Sequence, residues 1–138
     1  MDQLIQFINN HIFLVSTFFV ISGLLIWDFS QNAKNNIDSI KAIELINNKE
    51  AIIIDIRSMA DYNKGHILNA INIPANSLKT QLNLIQKYKN KPLIVVCRSG
   101  AQSSMACKQL HESDFSEVYN LRGGLLAWEG ANMPVTQS

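Results

Sequence analysis

The chain of 138 residues has little of what marks several common protein classes. It has two cysteines, Cys97 and Cys107, which form no Cys-x-x-Cys pair. A disulfide framework is therefore not expected, and a reducing compartment fits better. The three histidines are scattered, which predicts no zinc site. With a formal net charge of +1 and no lysine or arginine run, the chain lacks the basic surface that nucleic acid requires.

Charged residues are also scarce, at 17%, which indicates that part of the chain lies outside water. Residues 12–27 read IFLVSTFFVISGLLIW and carry no charge. As a helix they would span about 24 Å, less than the roughly 30 Å hydrocarbon core, so we expect the span to extend back through residues 4–8. Residues 1–29 are therefore predicted to form an N-terminal transmembrane helix, with Trp27 and Phe29 in an aromatic belt.

A cleaved signal peptide and a buried helix of a soluble protein are the alternatives for this segment. A signal peptide needs a basic region before the apolar run and small residues at a cleavage site, and the sequence has neither. No lysine or arginine precedes the span, whereas Lys34, Lys41 and Lys49 follow it. We therefore expect a single-pass protein of the cell inner membrane with its C-terminal domain in the cytoplasm. Such tethering suggests a membrane-protein partner.

The remaining chain predicts a linker at residues 30–36 and one domain at residues 37–138. Short apolar runs predict strands, and segments with apolar residues along one side predict helices. Their alternation favours an α/β domain on a mostly parallel sheet. The expected strands are residues 51–56, 71–73, 93–96 and 118–120, and the expected helices are 38–47 (capped by Asp38, with Ile40, Ile43 and Ile46 along one side), 76–88, 101–111 and 124–128.

Cys97 lies at the carboxyl end of a buried strand and directly before a helix, which is where parallel α/β sheets bind their ligands. The loop CRSGAQ at residues 97–102 can curl around Gly100, so that its backbone N–H groups point inward. Those donors and the positive end of the next helix lower the pKa of a thiol. The resulting thiolate can attack a sulfane sulfur and hold it as a persulfide, which an acceptor then removes.

Two other interpretations compete with sulfur transfer at this loop. A buried structural cysteine is one, and we expect it for Cys107, inside the following helix. A phosphatase or arsenate reductase is the other. Phosphatases of the Cys-x5-Arg type clamp the phosphoryl oxygens with an arginine six positions after the nucleophile, and here Ser103 occupies that position. The sequence therefore favours sulfur over phosphorus as the transferred atom.

Three blocks of the chain resemble the rhodanese-like family. They are DIRS at 55–58 with DY at 61–62 and GHILNAINIP at 65–74, then the loop CRSGAQ at 97–102, and VYNLRGGLLAW at 118–128. Three ordered blocks, spanning residues 37–134, are far more specific than the cysteine loop alone. The resemblance implies the rhodanese fold, a central parallel sheet with helices on both faces. It also implies a persulfide on Cys97 and no metal or organic cofactor.

The resemblance further assigns roles around the nucleophile. Asp55 and Arg57 are expected to support the loop, as a structural salt bridge rather than as catalysts. Gln102 replaces the Arg, Thr or Ser of many members, and Asn69 replaces a usual Gly, a change that asparagine tolerates because it visits left-handed conformations. The loop expected to bind the substrate anion comprises Arg98, Ser99, Gly100, Ala101, Gln102 and Ser103, while His66 and Trp128 are expected to be structural and Gly123 and Gly124 to allow a close backbone approach.

The predicted function is a sulfurtransferase that moves a sulfane sulfur from thiosulfate or a persulfide to a thiol or cyanide through Cys97. Because Gln102 stands where some members have Arg, a possible cationic contact to thiosulfate is missing. Arg98 provides a cation near the mouth of the loop, or else it is a solvated surface residue. The alternative is a membrane-tethered rhodanese-like interaction module, a scaffold with little catalysis. The complete cysteine loop argues against the scaffold, whereas the anchor argues for it.

Overall fold

The computed structural model describes residues 1–137, apart from the side chains of residues 31–33. The chain divides into two compact units, Met1–Lys34 and the part that begins at Asn35. The first unit contains helix α1 (Asp2–Asn10) and helix α2 (Ile12–Lys34). Within α2, the 19 residues Ile12–Ser30 have a mean hydropathy of 2.1, and none of that stretch is buried. By length and composition this helix could cross a membrane, because 19 residues rise about 28 Å.

The ends of this apolar helix differ from those expected. The apolar helix was predicted to extend back through residues 4–8. Instead the helix is interrupted at His11, and residues 4–8 belong to the separate helix α1. Helix α2 instead continues to Lys34, through most of the segment 30–36 predicted as a linker. Neither proline nor glycine occurs between Leu24 and Lys34, so nothing in the sequence ends the helix earlier.

The second unit is built on a sheet of five parallel strands in the order β1-β5-β4-β2-β3, so the predicted parallel α/β architecture is confirmed. Strand β4 is central, and its register with β2 places Val96 beside Asp55. The loops that follow these two strands therefore start side by side. The strands are β1 (Asn36–Ile37), β2 (Ile52–Asp55), β3 (Ile71–Asn72), β4 (Leu93–Val96) and β5 (Val118–Leu121).

The sheet is buried on both faces, as parallel sheets generally are. In β4, Leu93 and Val95 join one hydrophobic core, whereas Ile94 and Val96 join the other. Helix α5 covers the first face, and α3 and α6 cover the second. Helices on both faces were expected and are found. The helices of this unit are α3 (Ser39–Lys49), α4 (Met59–Lys64), α5 (Ala101–Glu112) and α6 (Gly124–Gly130).

Helix α3 confirms one local prediction and corrects another. The side chain of Asp38 accepts a hydrogen bond from the Lys41 N–H at 2.8 Å, so it is the predicted N-cap. Of the three isoleucines expected along one side, Ile43 and Ile46 pack against the core, but Ile40 is 75% exposed and Ala42 is buried. The helix is turned so that the small Ala42 side chain, rather than Ile40, lies against the sheet.

The helix predicted at residues 76–88 is absent. Three short 3₁₀ turns replace it: Ala75–Ser77, Leu82–Leu84 and Gln86–Tyr88. Leu78 and Ile85 are nevertheless fully buried in the first core. The spacing of apolar residues that predicted a helix therefore reflects which side chains are buried in the core. A series of tight turns buries them as well as a helix would.

Candidate active site

The loop after β4 opens into a crevice at the carboxyl edge of the sheet. From β2 the chain proceeds to β3 on one side, and from β4 it proceeds to β5 on the other. Ligands of open α/β sheets bind at such a change of direction. The crevice has a volume of about 350 Å³, and its lining comes from both loops: Ile56, Arg57, Ser58, Asp61, Cys97, Arg98, Ser99 and Gln102.

The sulfur of Cys97 is surrounded by hydrogen-bond donors although the residue is only 2% exposed. The Gly100 N–H donates to Sγ at 3.0 Å, and the Ser103 hydroxyl lies 3.3 Å from Sγ. Burial raises the pKa of the Cys97 thiol, but hydrogen bonding with the Ser103 side chain and with backbone N–H groups of the loop outweighs it and lowers the pKa overall. The thiolate, which is the nucleophilic form of cysteine, therefore forms more readily here than in an unperturbed cysteine.

Two glycines allow the loop to take this shape. Gly100 precedes α5 with a φ of +90°, and a Cβ there would lie 3.1 Å from the Gly123 nitrogen. Gly124 has a φ of +57°, and its Cβ would overlap the backbone of Cys97 and lie 2.6 Å from the Arg98 carbonyl oxygen. Helix α6 thus starts directly behind the nucleophile loop. The close backbone approach expected at Gly124 is confirmed.

The predicted loop residues do not all face the crevice. Arg98, Ser99 and Gln102 line it, with exposed side chains. Ser103 is completely buried and points toward the sulfur. Ala101 instead lines a separate, mostly apolar pocket on the side of α5. The structure thus brings most of the predicted loop to the nucleophile but turns Ala101 away.

A buried ion pair forms the opposite wall of the crevice. Arg57 Nη2 donates to Asp55 Oδ2 at 2.7 Å and Nε donates to Oδ1 at 3.0 Å, and Asp55 is 1% exposed. The same Nη2 donates to the Gly65 carbonyl at 2.7 Å. The guanidinium therefore ties the end of β2 to the chain after α4 and fixes one wall. This geometry suits a supporting role for the pair.

The other residues expected to be structural lie in packed surroundings. His66 is buried, stacks on the Tyr62 ring at 3.7 Å and approaches the Tyr62 carbonyl with Nδ1 at 2.8 Å. Trp128 is buried, and its Nε1 donates to the Pro134 carbonyl at 3.0 Å. Asn69 adopts a φ of +63°, the left-handed conformation expected there.

Burial, with the nearby Cys97, raises the pKa of the Cys107 thiol to about 12, so that thiol stays protonated.

Asn120 is a site residue that the sequence did not predict. It lies on β5, is 5% exposed, and contacts the nucleophile loop with its side-chain amide. Its Nδ2 donates to the Gly100 carbonyl at 3.0 Å, and its Oδ1 accepts from the Ser103 hydroxyl. A polar side chain in a buried strand needs hydrogen-bond partners. The asparagine within this apolar strand was therefore the feature of the sequence that could have indicated the contact.

Comparison with known proteins identifies relatives of this chain. Residues 40–131 match the family model described as a Rhodanese-like domain. An uncharacterized protein of Buchnera aphidicola is 33% identical over 98% of this chain and 96% of its own length. A sulfurtransferase of Allochromatium vinosum is 32% identical over 73% of this chain and 94% of its own length. The crystal structure of a rhodanese-related protein from Thermoplasma volcanium covers 75% of this chain and 99% of its own, with a TM-score of 0.68 at 24% identity.

Replacing Gly124 with alanine is expected to destabilise the protein by about 1–3 kcal/mol, because its Cβ would enter the nucleophile loop at a positive φ. Gly130 is the matched control at the other end of α6, where a Cβ meets nothing within 4 Å. Gly130→Ala should be neutral or stabilise by up to about 1 kcal/mol. Urea unfolding, followed by Trp128 fluorescence in a Trp27→Phe background, measures both. Equal stabilities of the two variants would contradict the close approach.

Proposed function

The chain belongs to the rhodanese-like family, and from that premise we propose that it is a sulfurtransferase that carries sulfane sulfur as a persulfide on Cys97. The observation that supports this most strongly is the set of donors around Sγ, which includes the Gly100 N–H at 3.0 Å. They lower the pKa of the thiol in a crevice of about 350 Å³. The printed name of the Allochromatium vinosum relative points the same way.

In the first half-reaction, the Cys97 thiolate attacks the outer sulfur of the donor. A bond forms between Sγ and that sulfur, and the bond between that sulfur and the rest of the donor breaks. The leaving group takes the electron pair and departs as sulfite from thiosulfate, or as a thiolate from a persulfide. Cys97 is left as Cys97–S–S⁻. The inward N–H groups of the loop and the N-terminus of α5 stabilise that negative charge.

In the second half-reaction, an acceptor thiolate or cyanide attacks the terminal sulfur of the persulfide. The sulfur–sulfur bond breaks and its electron pair returns to Sγ, which regenerates the thiolate. The products are an acceptor persulfide or thiocyanate. Both steps need only a nucleophile, a leaving group and a site for the charge, so the Cys97 thiol and the loop backbone of this chain suffice.

The charges around the crevice bear on which donor is used. Arg57 is engaged by Asp55 at 2.7 Å, and Gln102 provides no cation. Arg98 contributes an exposed guanidinium at the rim. Because thiosulfate carries two negative charges and gains from several cations, we infer that a persulfide of a small thiol is the better donor.

We also propose that α2 anchors the protein in the cell inner membrane, with the rhodanese-like domain in the cytoplasm. The stretch Ile12–Ser30 is long and apolar enough to span, and none of it is buried. No lysine or arginine precedes it, whereas Lys34, Lys41 and Lys49 follow, which favours a cytoplasmic C-terminal side. Tethering would bring the sulfur carrier to a membrane-protein partner.

Incubation of the purified full chain with thiosulfate or glutathione persulfide is expected to add the mass of one sulfur atom to the Cys97 peptide. Subsequent cyanide should remove that mass and release thiocyanate, because the terminal sulfur is electrophilic. Mass spectrometry of the digested protein measures the adduct and its position.

The two cysteines provide a matched pair of variants for this measurement. Cys97→Ser should form no adduct, and Cys107→Ser should form it as the wild type does, since the Cys107 thiol is buried and protonated. If no donor yields an adduct and Cys97→Ser cells behave as the wild type, the interaction module replaces the enzyme as the better account.

The membrane proposal predicts that the full chain stays in the membrane fraction after alkaline carbonate washing. A fluorescent protein fused to the C-terminus should be active, and a periplasmic phosphatase fused there should be inactive. Replacing Leu24 and Leu25 with glutamate should release the chain, because each charge in a span costs about 2.5–3.5 kcal/mol. An active phosphatase fusion would reverse the orientation, and a soluble wild-type chain would refute the anchor.

A further inference from the structure

The Ser103 hydroxyl has one proton and two neighbours that can use it. Its Oγ lies 3.3 Å from the Cys97 sulfur and also contacts Oδ1 of Asn120. Ser103 is 0% exposed and Asn120 is 5% exposed, so both groups depend on protein partners. The direction in which the hydroxyl points therefore decides which partner is satisfied.

The surrounding hydrogen bonds fix that direction in the structure. The Gly100 carbonyl lies 3.0 Å from the Asn120 amide and can only accept, so the Nδ2 group must face it. The Oδ1 atom consequently faces Ser103, and because an amide oxygen also only accepts, the hydroxyl donates to it. Ser103 Oγ is then left as an acceptor toward Cys97. The arrangement matches a protonated thiol that donates to Ser103.

A thiol can donate a hydrogen bond to Ser103, whereas a thiolate can only accept one. Without its proton, Sγ faces lone pairs of Ser103 unless the hydroxyl turns and donates to the sulfur. Turning satisfies the charge but leaves Oδ1 of Asn120 without that donor in a buried position, which is costly. The sulfur and Asn120 therefore compete for one proton.

We propose that Asn120 is a positioning residue that sets the direction of the Ser103 hydroxyl and thereby opposes formation of the Cys97 thiolate. This deepens the proposed function, on which it rests, by naming what regulates the nucleophile. Because an amide oxygen is not a base at neutral pH, Asn120 does not remove the proton of Cys97. Asn120 lowers the fraction of Cys97 that is present as thiolate, whereas the loop N–H groups raise that fraction.

Other titratable or charged groups also face the nucleophile. Cys107 lies near it on α5, and a charge on Cys97 raises the pKa of the Cys107 thiol. Arg57 and Asp61 line the crevice from the side of β2 and α4, and Arg98 lines it from the loop itself. These groups are the same in every variant described below, so they shift all the pH midpoints together and cancel in a double-mutant comparison.

The test is the pH dependence of Cys97 alkylation by iodoacetamide in the full chain in detergent, read from the mass of the Cys97 peptide. Asn120→Ala should lower the midpoint by about one pH unit, because it frees Ser103 to donate to the thiolate. In a Ser103→Ala background, Asn120→Ala should leave the midpoint unchanged. A shift of equal size in both backgrounds, or a raised midpoint in Asn120→Ala alone, would overturn the proposal.

Two further variants keep the test decisive. Asn120→Asp retains an acceptor for Ser103 and should raise the midpoint more in the wild-type background than in Ser103→Ala, since the repulsion from the new carboxylate is common to both; this comparison decides the question even if Asn120→Ala does not fold. Ser104→Ala removes another partner of the same amide, at 2.9 Å from Nδ2, and should leave the midpoint unchanged. A lowered midpoint in Asn120→Asp, or a Ser104→Ala shift as large as that of Asn120→Ala, would refute the role. Alkylation requires no sulfur donor, so failure of persulfide formation is a separate result.

Discussion

The hydrogen bond from the Gly100 N–H to the Cys97 sulfur is the contact on which the rest of the site depends. It forms because Gly100 takes a left-handed conformation and turns the chain into α5. The backbone of α6 lies directly behind the loop, and this close approach is possible because Gly124 has no Cβ. The parallel pairing of β4 with β2 and β5 places all of these parts at one edge of the sheet.

Much of this could be predicted from the sequence, because the informative features are local. The run before Cys97 is apolar and short, the loop is small and glycine-centred, and a helix follows, so strand, loop and helix were all expected. The helix predicted at 76–88 failed because Leu78 and Ile85 can be buried by 3₁₀ turns as well as by a helix. Asn120 was missed because its partners, Ser103 and Gly100, are distant in sequence and meet it only through sheet order.

The same arrangement connects the fold to the chemistry. Burial disfavours a charged sulfur, and the loop offsets that cost with donors that are already oriented before any substrate arrives. Asp55 and Arg57 neutralise each other, so they shape the crevice without adding a free charge to it. Ser103 stands where a Cys-x5-Arg phosphatase has the arginine that clamps a tetrahedral phosphate, and the structure gives it a contact with the sulfur instead.

The account is tested most directly by titrating the ultraviolet absorbance of the Cys97 thiolate in the full chain, with Cys97→Ser as the blank. The donors around Sγ predict a pKa below that of an unperturbed cysteine thiol, so the thiolate signal should appear at lower pH than in a cysteine-containing peptide. Cys107 should contribute only near its pKa of about 12. A Cys97 midpoint at or above that of the peptide would contradict the account.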